Sequence, residues 1–533
     1  MELVRLIEAL SNPAAYPLPG DDVTICHTHI SVVFLVGEFA YKIKKPVELG
    51  FLDFSTLEDR RHFCEEEVRL NRRLAAAVYL GVVPIGIAGN SVQMEGTGEV
   101  VEWAVKMQRL PEEATLDRRL QNEGVDATIL EALARRIAAF HAAAESNERI
   151  SAFGRFEVVA QNARENFEQA AGQVGTTLSP TVFERLKCLT EAALSQHASL
   201  MEDRARRGVP RDTHGDLRLG HVYVFADRSP PDDLVVVDCI EFNERFRFAD
   251  PVADMAFLAM GLCFRARRDL ANVFIEAYFA AAGDDAGRVL LPFYMAYRAA
   301  VRGKVEGIKI NRQEIPDAER AAALARSRAY WLLALGELEE PRGRPCLLLV
   351  GGLPGTGKST LAQSLGEQAG FCVVRSDVVR KELAASLSQE GSTRPGAIAF
   401  GQGIYSPEWT ERTYAECLSR AREQLFEGNR VLVDANFREE GQRCSFLQMA
   451  LQAGVPAILL FCEASPGVAR SRLDARRDDA SDADWSVYQQ VARRWEEIAP
   501  DTRRQMAEIA TDAGPEESLR DALTILRNAR LMS

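Results

Sequence analysis

The stretch CLLLVGGLPGTGKST, residues 346–360, decides the fold of the second half of this chain. An apolar run of strand length leads into closely spaced glycines, and Lys358, Ser359 and Thr360 then open a helix. Within it, GLPGTGKS at 352–359 fits G-x-x-x-x-G-K-[ST], a pattern that needs this strand-loop-helix setting. The glycines let backbone N–H groups turn inward around phosphate oxygens, and the helix N-terminus adds partial positive charge. The expected nucleotide contacts are therefore Gly352, Pro354, Gly355, Thr356, Gly357, Lys358, Ser359 and Thr360. Lys358 is expected on the β- and γ-phosphates of ATP, and Ser359 offers its hydroxyl to Mg²⁺.

Downstream the pattern alternates strand and helix: FCVVRSD, RVLVDAN and PAILLFCE are strand-like, with helical stretches between them. That order predicts a parallel α/β sheet with crossover helices. The second strand runs into RSDVVRKEL, where Asp377 and Arg380 stand three apart and share a helix face. Asp377 is the candidate catalytic base and Arg380 the candidate anion contact, at the carboxyl end of the sheet where ligands bind in such folds. VLVDANF (431–437) places Asp434 at a third strand end as the Mg²⁺-supporting carboxylate. ARSRLDARRDD (469–479) carries Arg472, Arg476 and Arg477, a basic cluster suited to a lid over phosphates. Together GLPGTGKST, Ser376-Asp377-x-x-Arg380, VLVDAN and the arginine cluster resemble the P-loop kinases of the zeta-toxin-like, gluconate-kinase-like and polynucleotide-kinase-like type. The resemblance spans about 343–510 and implies phosphorylation of a hydroxyl, with Asp377 as base and Arg380 on the substrate.

The first half carries a different apparatus. THGDLRLGHVYVF (213–225) is a His-Gly-Asp loop entering a strand. In kinase-like folds such a loop supplies an aspartate to the acceptor hydroxyl and, five residues later, an asparagine to Mg²⁺. Asp216 has the first place, and His221 stands where asparagine is expected. VVVDCIEFNERF puts Asp238 at a strand end as a metal ligand, and ADPVAD follows with Asp250 and Asp254. AYKIKK (40–45) offers Lys42 as a phosphate clamp, to be paired by Glu66 or Glu67 on the next helix; Glu66 is the residue carried forward. AYKIKK, HGDLRLGH, VVDCIEF and ADPVAD, in this order, resemble the aminoglycoside-phosphotransferase-like kinases over about 25–310. That resemblance implies a bilobal α+β, protein-kinase-like domain. THIS (28–31) occupies the place of a glycine-rich phosphate loop, and the imidazole of His221 is a poor ligand for a hard ion. His221 is left with three readings: a metal site reduced to Asp238 and water, with His221 itself kept as a possible ligand; a loop-supporting side chain; or the mark of a domain that binds nucleotide without efficient transfer.

The fold class expected is thus an α+β bilobal N-terminal domain followed by an α/β parallel-sheet P-loop domain. The boundaries read from composition are 1–336, with a small lobe to about 110 and a helical lobe beyond it, a polar linker ELEEPRGRP at 337–345, and 346–533. Tyr297, Arg298, Arg302 and Lys304 are soft candidates for an acceptor site in the helical lobe. The net charge of −13 argues against a broad basic face for nucleic acid, without excluding a local basic pocket. The N-terminal segment has no secretory pattern, and the longest apolar runs are far too short to span a bilayer. The ten cysteines form no CxxC pair, which fits a reducing cytoplasm rather than a disulfide framework. The expectation is a cytoplasmic kinase using ATP and Mg²⁺ on a small-molecule hydroxyl, such as that of a sugar or nucleotide sugar. A regulatory or toxin-type ATP-binding protein and a polynucleotide 5′-end kinase are the alternatives.

Overall fold

A computed structural model describes residues 1–17, 22–50, 52–89, 91–122, 124–310, 315–388, 403–475 and 483–533. The chain divides into two compact units that interleave along the sequence. One comprises Met1–Ala160, His197–Cys263 and Arg267–Tyr294; the other Gln161–Gln196, Phe264–Ala266 and Met295–Ser533. Helical residues at 161–196 and 295–336, read from composition as part of the first domain, are grouped by their contacts with the C-terminal half. The physical reason lies in their contacts within that unit. Arg185 Nη1 donates to Gly428 O at 2.9 Å. A Cβ on Gly428 would come within 2.9 Å of Val182 and 3.0 Å of Leu335.

In the first unit, β1 (Val23–His27), β2 (Ser31–Val36), β3 (Phe39–Lys44), β4 (Tyr79–Ala88), β5 (Ser91–Met94) and β6 (Glu99–Gln108) form one antiparallel sheet. The strand order is β1-β2-β3-β6-β4-β5. β2 and β3 close in a two-residue turn at Gly37-Glu38, where Gly37 takes φ 53° and Val36 pairs with Phe39. Alternation then sorts the side chains. Val32, Phe34, Tyr41 and Ile43 enter an apolar cluster with Ile85 and Ala104. Lys42 and Lys44 point to the opposite face. Helix α1 (Leu57–Ala75) is capped by Thr56, whose hydroxyl accepts from Asp59 N. It packs Cys64, Val68 and Ala75 against Val78, Tyr79 and Val105, which sets the register of its acidic residues over the sheet. Helix α2 (Ala127–Ala143) buries Leu130, Leu133 and Ile137, as its 3.6-residue period predicts. The hairpin of β7 (Val222–Val224) and β8 (Leu234–Val236) follows the His-Gly-Asp loop. Helix α3 (Pro251–Phe264) is buried along nearly its whole length beneath that loop.

In the second unit, β9 (Cys346–Gly351), β10 (Cys372–Arg375), β11 (Arg430–Asp434), β12 (Ala457–Glu463) and β13 (Met506–Ala510) form a wholly parallel sheet ordered β10-β11-β9-β12-β13. All six residues of central β9 are buried, so it reads as a continuous apolar run rather than an alternating one. Helix α4 (Lys358–Ala369) packs Leu361, Ala362 and Leu365 into the same core. Helices α5 (Ser376–Ser388), α6 (Pro407–Phe426) and α7 (Pro466–Ala475) connect the strands. Among the described residues no helix is long and apolar enough to cross a membrane.

Candidate functional sites

Strand register brings the C-terminal chemistry to the carboxyl end of the sheet. Val350 pairs with Asp434, and Asp434 pairs with Arg375, so the phosphate-binding loop, Asp434 and the start of α5 leave the sheet side by side. The loop is shaped by positions that only glycine fills. Gly352 has φ 135°, and a Cβ there would sit 2.4 Å from Cys462 O; Gly355 has φ 79°, and its Cβ would sit 2.7 Å from Ala469 O. α4 begins directly after Gly357 without a side-chain cap, leaving its first N–H groups to the loop's concave side. Lys358 Nζ lies across the loop and donates to Leu353 O at 2.7 Å. Thr356 Oγ1 donates to the same carbonyl at 2.8 Å. Thr360 is exposed in the first turn of α4, and Pro354 is half-buried in the loop.

Asp434 is 5% exposed and accepts a hydrogen bond from the Ser359 hydroxyl, while Arg375 Nε stands 3.5 Å away. Burial raises its carboxyl above the ordinary range, against the nearby Lys358 charge and the Ser359 hydroxyl. Ser359 and Asp434 are hard oxygen donors held together, a set that suits Mg²⁺. Asp377 and Arg380 lie in the first turns of α5, as expected. Arg380 is buried; its Nη1 donates to Ile404 O at 2.7 Å, and its guanidinium lies 5.3 Å from the Tyr405 ring. Arg380 Nε has no hydrogen-bond partner among the described residues. Asn436 is drawn into support: Tyr414 OH donates to its Oδ1 at 2.9 Å and accepts from Phe437 N at 3.0 Å. Arg472, on α7, reaches the loop by donating to Thr511 O at 2.6 Å, and Thr511 Oγ1 donates to Thr356 O at 2.9 Å. Arg476 and Arg477 lie outside the described residues. Thr511 and Arg375 had no sequence signal.

The N-terminal site is built on a buried charge network. Lys42 Nζ contacts Glu67 at 2.8 Å and Asp238 at 2.9 Å. Lys44, two residues along the same strand face, contacts Glu67 at 2.8 Å and also pairs with Glu241. Lys42 thus takes Glu67, not Glu66. The correction has a plain cause: Glu67 is fully buried against the sheet, whereas Glu66 faces outward and pairs with Arg69 at 2.7 Å. Burial would lower both lysines, but the facing carboxylates raise them and keep them charged. Asp238 is held well below the ordinary carboxylate range: burial opposes this, and the Lys42 charge outweighs it. Glu241 is raised by burial. Lys44 and Glu241 were missed, although a second lysine at i+2 and a glutamate three after Asp238 were visible in the sequence.

The His-Gly-Asp loop hangs from Asp254 on α3. Asp254 accepts from His214 N at 3.0 Å and Gly215 N at 2.9 Å, and His141 Nε2 lies 3.1 Å from it. His214 Nε2 bonds Val237 O at 3.0 Å, and burial lowers its basicity. Asp238 takes φ 65°, turning its carboxylate back toward the loop. Asp216, His221 and Asp238 converge, with ligand atoms within 4.8 Å of one another. His221 Nδ1 lies 2.9 Å from Asp216 O, and Nε2 lies 2.5 Å from Arg218 Nη2. Arg218 Nε in turn donates to the Asp216 carboxylate at 2.9 Å. Burial and the Arg218 charge depress His221 to about 4, so it is neutral near pH 7. At THIS, a tight turn replaces a glycine-rich loop: Ser31 N donates to Thr28 Oγ1 at 2.9 Å. Arg302 pairs with Glu306, Lys304 bonds Asn166 and Gln169, and Tyr297, Arg298, Arg302 and Lys304 all belong to the other unit.

Comparison with known proteins matches one family model to each half of the chain, the first running through residues 161–196, which pack in the second unit. The family model described as "Phosphotransferase enzyme family" matches residues 52–290, and the one described as "AAA domain" matches 347–498. Uncharacterized proteins of Mycobacterium tuberculosis and Mycobacterium bovis are each 32% identical over 481 residues, covering 90% of this chain and 92% of the relative. Among solved structures, a gluconokinase from Sinorhizobium meliloti is 18% identical, covering 35% of this chain and 94% of its own, with a TM-score of 0.27. A choline/ethanolamine kinase family protein from Mesorhizobium loti is 13% identical, covering 62% and 98%, with a TM-score of 0.36. At those scores neither bears on the substrate. With the relatives spanned almost end to end, the chain belongs to the family of these mycobacterial proteins, and in this chain a phosphotransferase-family region precedes a P-loop region.

Proposed function

We propose that the chain is an ATP- and Mg²⁺-dependent kinase that phosphorylates a hydroxyl of a small metabolite, a sugar or nucleotide sugar being the expected class, with a nucleotide site in each unit. The observation that carries this reading is the C-terminal loop, where Gly352 and Gly355 take conformations closed to other residues and deliver Lys358 and Ser359 beside Asp434. In the C-terminal site, loop N–H groups and Lys358 hold the β- and γ-phosphates, and Arg472 closes from α7. Ser359 and Asp434 would hold Mg²⁺, which neutralises charge on the phosphates when bound. Asp377 takes the proton of the acceptor hydroxyl, and Arg380 orients an anionic acceptor. In the N-terminal site Lys42 clamps phosphate, Asp216 is the base and Asp238 the metal ligand. Ten cysteines without a disulfide are consistent with a cytoplasmic location.

A second reading is favoured by one observation. The carboxylate of Asp216 is paired with Arg218, and both ring nitrogens of His221 are engaged. That supports an N-terminal unit that binds nucleotide and regulates, while the P-loop unit transfers phosphate. Turnover of labelled ATP, measured with a bacterial metabolite extract as acceptor, tests both. Under the two-site kinase, Lys358→Ala and Asp216→Asn each lower turnover by at least tenfold for their own acceptor. Turnover untouched by Asp216→Asn favours the regulatory reading, and turnover untouched by both variants removes the kinase.

A further inference from the structure

His221 occupies the position of a metal ligand but does not fit that role. Asp216 O is a carbonyl and only accepts, so Nδ1, 2.9 Å away, carries the ring hydrogen. Nε2 then presents its lone pair, and Arg218 Nη2 points at it from 2.5 Å. A metal ion needs that lone pair. The guanidinium blocks its approach and repels a second cation at this distance. Asp238 differs. Lys42 holds its Oδ1 at 2.9 Å and its Oδ2 lies 3.5 Å from His221 Nε2, yet the side chain is still 46% exposed. The site therefore keeps one hard oxygen ligand and loses the second metal position.

In place of that second cation stands a fixed one. Arg218 is anchored on one side by Asp216 and on the other by His221, and its side chain is still 31% exposed. We propose that the guanidinium of Arg218 replaces the cation that an asparagine at position 221 would hold, and binds the terminal phosphates of the nucleotide beside Asp216. This rests on the reading of the N-terminal cleft as a nucleotide site. A guanidinium matches phosphate with a planar, two-pronged set of donors and stays charged at any physiological pH. His221 is a positioning residue: its neutral ring accepts one prong and turns the fork toward the cleft. The nucleotide in this unit then carries a single divalent ion, on Asp238.

The test uses the full-length chain carrying Lys358→Ala, so that the N-terminal cleft is read alone. Isothermal titration with a non-hydrolysable ATP analogue gives affinity, and electron paramagnetic resonance counts bound Mn²⁺. One Mn²⁺ per nucleotide is expected. Arg218→Gln is expected to weaken the analogue at least tenfold without lowering Tm, Arg218→Lys to weaken it less, and His221→Ala to leave the Mn²⁺ count at one. Two Mn²⁺ per nucleotide falling to one in His221→Ala, or an affinity indifferent to Arg218→Gln, would overturn the proposal while leaving the cleft a nucleotide site. Loss of all nucleotide binding in the Lys358→Ala chain would instead overturn the reading of the cleft itself, and this proposal with it.

Discussion

Single residues decide whether each site can form. At Gly355 an added methyl meets a backbone carbonyl 2.7 Å away in a left-handed conformation, and neither can yield without moving α7 or the loop. Gly355→Ala is expected to cost about 1–3 kcal/mol in strain and to weaken ATP binding in the C-terminal site at least tenfold. Thermal melting together with nucleotide titration checks both parts. Lys44 is as constrained for an electrostatic reason. It is 0% exposed and faces two buried carboxylates, Glu67 and Glu241. Lys44→Met leaves Glu241 buried without its cation, a change that costs about 3–5 kcal/mol for a buried pair broken on one side. The denaturant midpoint is expected to fall accordingly. The double variant Lys44→Met/Glu241→Leu is expected to recover most of the loss, because an apolar pair leaves no unpaired charge. No recovery in the double variant would mean that the pair does more than balance itself.

At the scale of elements, ion pairs between helices replace apolar burial where faces are polar. In the second unit, Glu306 on the helix Leu291–Ile310 bonds Arg302 at 3.0 Å, Lys309 at 2.8 Å and Arg326 at 2.9 Å, the last on the helix Asp317–Leu338. Burial opposes its charge, but the three cations hold its carboxyl below the usual glutamate value. A depressed carboxyl contributes stability that is present above the unfolded-state value, about 4.3 for glutamate, and is lost as pH falls through the folded value. Wild type is therefore expected to exceed Glu306→Gln in stability at pH 7, with the gap closing below about pH 4.5. Denaturant midpoints of the two proteins across that range measure it; a gap that stays constant contradicts the assignment. The same logic of pairing explains why α1 delivers Glu67 inward. Neighbouring helix positions differ by about 100°, so Glu66, one residue earlier, is left to Arg69 outside.

At the scale of the whole chain, the two units make separate claims on nucleotide. Wild type is expected to bind two ATP analogues per chain, Lys358→Ala one, and Lys358→Ala combined with Asp238→Ala none. Calorimetric stoichiometry decides this, and a single site in wild type would assign one unit to another role. The net charge of −13 predicts that single-stranded nucleic acid does not compete for either site at physiological salt. Competition by a 5′-hydroxyl oligonucleotide would turn attention to the surroundings of Arg380.

The sequence by itself determined the features whose geometry is local. The eight residues from Gly352 to Ser359 are contiguous, so glycine placement, strand and helix together dictate the loop's shape wherever the unit packs. The alternation of strands and helices from β9 to β12 was legible for the same reason, whereas β13 (Met506–Ala510) carried no such signal. Only the tertiary structure decided the rest, because it depends on which faces meet across long sequence separations. Lys44 and Glu241 are 197 residues apart and find each other through the packing of β3 against the segment after Asp238. Glu67 displaced Glu66 because α1 turns one face to the sheet. Residues 161–196 and 295–336 fall in one compact unit with the C-terminal half through contacts such as that of Arg185 with Gly428, a grouping composition does not encode. His221 is the sharpest case. Its spacing from Asp216 marks a ligand position, and only the placement of Arg218 and of a backbone carbonyl shows that both its nitrogens are already engaged.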